Sequence, residues 1–252
     1  YFIFIMFASM FGAPLRLRLF LLCPPTNYDN MKTLAVDSSS LISLSESCVV
    51  SVFRHLLGRA RFVAPESVYQ ESVDTPSRIK QHGFSALRIK RLFFEGAVGK
   101  VAADLQRTRE ILQLANSTML VDGKPLELIQ IGEAECLALV LSGKADALII
   151  DEKTLRLLIE NPEKLMGILK TEYEGKVVLE EKSLQKWQQL TRGIKIIRSA
   201  ELLAVAGKNG YFGFFGDDEV LALRAAVFAL KGYGCSLTKD ELKEYDKLVV
   251  GR

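Results

Sequence analysis

Two short apolar runs, TLAVD at 33–37 and ADALIID at 145–151, each end on an aspartate. Continuous apolar runs of this length suit strands buried on both faces, as in a parallel sheet, rather than strands with one wet face. A carboxylate directly after such a strand costs free energy unless it is paired or meets a cation. The two runs therefore constrain the fold and single out Asp37 and Asp151 together.

The segments between and after them alternate in kind. Leu41, Leu44, Cys48, Phe53 and Leu56 suit one helix face, and RFVAP (61–65) is a short strand closed by proline. A helix opens at Glu66 and carries Glu71 on its second turn. Residues 84–115 read as two helices interrupted at Gly96 and Gly99, and 131–143 as a helix stopped by Gly143. GKVVLE (175–180) and GIKIIR (193–198) read as strands flanking a helix at 182–191. A helix at 218–231 follows, then a last one opened by Thr238 and Glu241 as a capping box. Strands alternating with helices predict an α/β fold, a three-layer α/β/α domain with a parallel central sheet over 31–198. Residues 199–252 read as a C-terminal helical appendage.

Residues 1–30 read apart from this pattern. Their opening apolar run is broken by Gly12, Pro14, Arg16 and Arg18, whereas a membrane span needs roughly 20 continuous apolar residues. The expectation is a non-core extension before Met31, with a membrane-surface anchor and then a cleaved signal as the alternatives, and no stable membrane association. Cys23, Cys48, Cys136 and Cys235 have no C-x-x-C spacing, which fits a reduced cytoplasmic protein. His55 and His82 lie in no catalytic pattern and are expected to pack or face solvent.

Each acid has an ordinary structural account when taken singly. Asp37 and the serines 38–40 can cap a helix; Glu133 and Glu135 in IGEAECLALV can offset a helix dipole; Asp151 and Glu152 can sit in an exposed turn. Their placement together, at strand ends and helix starts of one α/β framework, has a different logic. Clustered carboxylates repel, so convergence makes sense chiefly around a divalent cation with oxygen ligands, Mg²⁺ or Mn²⁺.

AVDSSSLISL, VAPESVYQES and GEAECLALVLSGKADALIIDE resemble the acidic motifs of PIN-domain proteins over residues 33–156. The resemblance implies a PIN-like fold and a metal-dependent endoribonuclease, a toxin of a toxin–antitoxin pair or an RNA-maturation nuclease, with DNA as another substrate in some members. It implies Asp37, Glu71, Glu133 and Asp151 as catalytic acids, with Asp37, Glu133 and Asp151 as metal ligands. Glu66 competes with Glu71 for the second position. Ser39, Glu135 and Glu152 take supporting roles, and only Glu152 can stand in for a further acid that many members carry beyond Asp151. The partners implied are RNA, single-stranded or structured, an antitoxin protein and a second copy of the chain.

A formal net charge of +3 rules out binding a polyanion by bulk charge, so a nucleic acid needs a local patch. Residues 78–109 are rich in base, and Arg88, Lys90 and Arg91 are the expected phosphate contacts, against the alternative of a solvated helix face. The Gly/Phe stretch 210–216 either stacks bases or packs on the core. A D-x-D after the first strand is lacking, as are P-loop and dinucleotide-binding glycine patterns. The remaining rival is a catalytically inactive PIN-like module that binds RNA or a protein.

Overall fold

The computed structural model describes residues 31–174 and 176–250; the expectations for residues 1–30 lie outside the described residues. The strands are β1 (Lys32–Val36), β2 (Ala60–Ala64), β3 (Gly99–Lys100), β4 (Met119–Val121), β5 (Lys124–Pro125), β6 (Ala147–Ile149), β7 (Val177–Leu179) and β8 (Ile196–Ile197). The helices that matter below are α1 (Ser38–Glu46), α2 (Val52–His55), α3 (Glu66–Tyr69, running on through a π turn at Gln70–Asp74), α4 (Gly83–Phe94) and α5 (Leu105–Asn116). They continue with α6 (Ile131–Leu141), α7 (Lys153–Glu160), α8 (Pro162–Glu172), α9 (Glu181–Leu190), α10 (Ser199–Lys208), α11 (Glu219–Gly232) and α12 (Lys239–Val250).

Five strands form an all-parallel sheet in the order β3-β2-β1-β6-β8. From β1 the chain goes outward on one side through β2 and β3, then returns to the other side of β1 for β6 and β8. Winding therefore reverses between β1 and β6, and in open α/β sheets ligands settle outside the carboxyl ends of the strands at such a reversal. Asp37 follows β1 directly and its backbone N–H donates to Ile149 O at 3.0 Å, which ties the ends of the two strands together.

Leu34, Ala35 and Val36 of β1 and Ala147, Leu148 and Ile149 of β6 are completely buried, so both faces of the central strands are covered. Helix α6 packs on β1 and β6 and against α5, while α1 packs on α4. Helix α10 packs on α1 and α2, and its Leu202 and Leu203 belong to the same buried core as Leu34 and Leu41. Leu202 and Leu203, in the segment 199–252 read from the sequence as an appendage, thus belong to the main core.

Three details differ from the sequence reading. The break between the two helices of 84–115 holds β3, an edge strand of two residues beside β2. Residues 119–125 form a hairpin, β4–β5, with Asp122 and Gly123 both at positive φ, the twist that a two-residue hairpin turn demands. Strand β7 pairs antiparallel with β4 in a separate three-stranded sheet rather than extending the parallel one. Among the described residues no helix is long and apolar enough to cross a membrane, and Cys48, Cys136 and Cys235 are free thiols.

Candidate functional site

A cleft of about 450 Å³ opens at the winding reversal, lined by Asp37, Ser38, Ser39, Glu71, Glu127, Leu128, Gln130, Glu133 and Glu152. Five of these nine are acids and none is basic.

Asp37 is the N-cap of α1 and is 1% exposed. Its Oδ2 accepts from the Ser39 backbone N–H at 3.1 Å and from the Ser39 hydroxyl at 2.6 Å, while Oδ1 is buried with no hydrogen-bond partner. Burial pushes its carboxyl up to about 6, against the pull of the Ser39 hydrogen bonds and with help from the charge of Glu71. The cap accounts for one oxygen and leaves the other unexplained.

Glu133 enters from the first turn of α6. Its Oε2 accepts from the Gln130 backbone N–H at 2.9 Å, and its Oε1 is likewise buried without a partner. Burial, then the charges of Asp37, Glu152 and Glu71, push its carboxyl up to about 8. Glu71 sits in the π turn, a helical irregularity frequent at functional sites. Its Oε2 accepts from the Ser38 hydroxyl at 2.8 Å. The carboxylate rests over Gly132, where an added Cβ would come within 2.8 Å of Oε2.

Asp151 is placed otherwise. It does not line the cleft; it is fully buried, with Oδ1 accepting from the Ser199 N–H at 2.7 Å and Oδ2 from the Ser43 hydroxyl. Its carbonyl accepts from Ser236 N–H at 3.3 Å, so it joins β6, α1, α10 and the loop before α12. The metal-ligand role expected of Asp151 thus meets a carboxylate with both oxygens engaged inside the protein. Its neighbour Glu152 lines the cleft and caps α7 through Leu155 N–H at 3.0 Å. The Ser39 hydroxyl joins the two aspartates, donating to Asp37 and accepting from Asp151 N–H at 3.3 Å.

The other expected residues lie outside the cleft. Glu66 pairs with Lys100 at 3.2 Å, and Glu135 accepts from the Ser67 hydroxyl, linking α6 to α3. Arg91 pairs with Glu95, and Arg88 stacks over Phe84 and points Nη1 at Cys48 Sγ. Lys90 is solvent-exposed on the same helix, and none of the three lines the cleft. In the 210–216 stretch Phe212 is buried while Phe214 is 79% exposed. His55 packs edge-on to Tyr211, and His82 lies 3.7 Å from Glu46.

Sequence reasoning missed Glu127, Gln130, Ser38 and Gly132. A signal existed for the first: Glu127 stands six residues before Glu133 in LELIQIGE. Gly132 opens the GEAECLALV motif, but nothing in that pattern says that its role is to leave room for Glu71.

Among the described residues no three His, Cys, Asp or Glu side chains already stand close enough together to hold a metal ion. What suits a hard cation is the donor chemistry, two orphaned carboxylate oxygens beside further acids in a cleft without bases. No protein-family model, curated protein or solved structure matches the chain.

Proposed function

We propose that the cleft is the active site of a Mg²⁺- or Mn²⁺-dependent endoribonuclease of the PIN type. The observation that carries the reading is the pair of buried, partnerless oxygens, Asp37 Oδ1 and Glu133 Oε1, at the winding reversal of the sheet. An unsatisfied buried polar atom is expensive, and its persistence calls for a ligand. Asp37 and Glu133 would hold the cation, with Glu71 beside them and Glu152 as a fourth acid. Bound there, the cation supplies activation of a water and neutralisation of charge at the scissile phosphate.

The chain's own residues set the geometry. Ser39 fixes the Asp37 carboxylate through two hydrogen bonds, and Ser38 holds Glu71 through one. Asp151 holds α1 and α10 against the end of β6 and so keeps Ser39 in place. RNA as the substrate, and an antitoxin or second copy as partner, rest on the resemblance of the motifs alone.

One observation favours a second reading, an inactive PIN-like module that binds RNA or a protein: three acids do not yet converge among the described residues. A cleavage assay on single-stranded RNA separates the two. Mn²⁺-dependent cleavage that stops with chelator and in Asp37→Asn supports the nuclease. RNA binding without cleavage under any divalent cation supports the module.

A further inference from the structure

We propose that a second cavity, joined to the cleft, seats the nucleoside next to the scissile phosphate, and that Lys153 contacts the phosphate of that nucleotide. This rests on the nuclease reading of the cleft. The cavity, of about 460 Å³, shares Ser39 and Glu152 with the cleft, so a strand crossing the acids has a continuous path into it. Its volume lies in the range of roughly 300–1,000 Å³ usual for small-ligand sites.

The lining is divided as a nucleotide would need. Leu165, Ile168 and Leu169 of α8 give an apolar wall for the face of a base. Thr154, Ser236 and Glu172 offer hydroxyl and carboxylate groups for ribose hydroxyls or base N–H groups. Lys153 is the one basic residue among those lining either cavity, in a cleft otherwise crowded with acids. It is half-buried, and among the described residues it forms no ion pair or side-chain hydrogen bond. The neighbouring Glu152 forms no ion pair with it and instead accepts from the Leu155 N–H through Oε2. An ammonium group without a fixed ion pair, beside a cleft that would hold the scissile phosphate, is available to a phosphate oxygen.

The test is equilibrium binding to the full chain in chelator, with adenosine 5′-monophosphate, uridine 5′-monophosphate and inorganic phosphate as probes. The mononucleotides should bind more tightly than phosphate. Lys153→Gln should weaken them about 10-fold or more, the loss of one charge-assisted contact, and Ile168→Glu should weaken them further. Lys186→Gln, at an exposed position of α9 that lines neither cavity, should leave binding unchanged. Failure of both mononucleotides to bind, or equal binding in the parent chain and Lys153→Gln, overturns the proposal. Binding that responds to these substitutions in a protein unable to cleave RNA upholds the subsite and removes the nuclease reading. Metal-dependent cleavage with mononucleotide binding unmoved by them does the reverse.

Discussion

The carboxylate of Glu71 lies against the α-carbon of Gly132, so close that a methyl group there would stand 2.8 Å from Oε2 and 2.9 Å from Oε1. Gly132 is in the first turn of α6, one residue before Glu133, and its missing side chain lets two acids from different elements share one cleft. Gly132→Ala should therefore push Glu71 aside. Because the displaced group is the end of a flexible side chain, the fold should hold, and alanine is a better helix former than glycine by about 1 kcal/mol. The expected outcome is unchanged or higher thermal stability with cleavage reduced roughly 10–100-fold, the usual effect of disturbing groups that orient a metal's ligands. Unchanged cleavage would show that Glu71 plays no part.

The pH dependence of stability in chelator follows from the two raised carboxyls. Asp37 is raised from 3.8 to about 6 and Glu133 from 4.5 to about 8. Above their unfolded values the unfolded chain has released these protons and the folded chain still holds them, so folding is favoured less as pH rises. Their contribution is fully present below about pH 4 and is lost through pH 6 for Asp37 and pH 8 for Glu133. Thermal unfolding of the parent chain and Glu133→Gln between pH 5 and 8 checks this. The parent should lose more stability across that window than the variant; equal slopes would remove the account of Glu133.

Asp37 and Asp151 look alike in sequence and should respond differently to asparagine. Asp37→Asn leaves an oxygen for the Ser39 hydrogen bonds and removes only a charge that burial and neighbouring acids oppose, so the metal-free protein should be as stable as the parent or more so. At Asp151 the carboxylate satisfies Ser43 and Ser199 at once, and an amide presents one of them with a donor instead. Asp151→Asn should cost about 1–3 kcal/mol. Denaturant unfolding of the two variants side by side decides it, and equal stability would contradict the junction role given to Asp151.

These contrasts mark where the sequence was legible. Buried strands announce themselves as apolar runs, so the ends of β1 and β6 and the acids that follow them could be read directly. Which of two successive acids enters the cleft could not: Asp151 and Glu152 diverge because neighbouring residues at a strand end point to different sides, and only the packed partners Ser43 and Ser199 determine which is engaged. The sequence reading passed over the β4–β5 hairpin although Asp122-Gly123 carries its turn signal, whereas β3 is too short to leave a periodicity. The antiparallel pairing of β7 is a tertiary choice that its local pattern does not encode. Glu135 was separable from Glu133 by position, since residues two apart on a helix face different ways. With its carboxylate on Ser67 and outside the cleft, Glu135→Gln should keep cleavage within several-fold of the parent.

Calorimetric titration of the purified chain with Mn²⁺ at pH 7, in two buffers of different ionisation enthalpy, tests most directly whether Asp37 Oδ1 and Glu133 Oε1 take up a cation. Glu133, with its carboxyl at about 8, enters the titration protonated and must release that proton to bind. The expected result is saturable binding with release of about one proton per cation in the parent chain, and no measurable binding in the Asp37→Asn, Glu133→Gln double variant. Equal Mn²⁺ affinity in the two proteins, or no binding by the parent, would contradict the account.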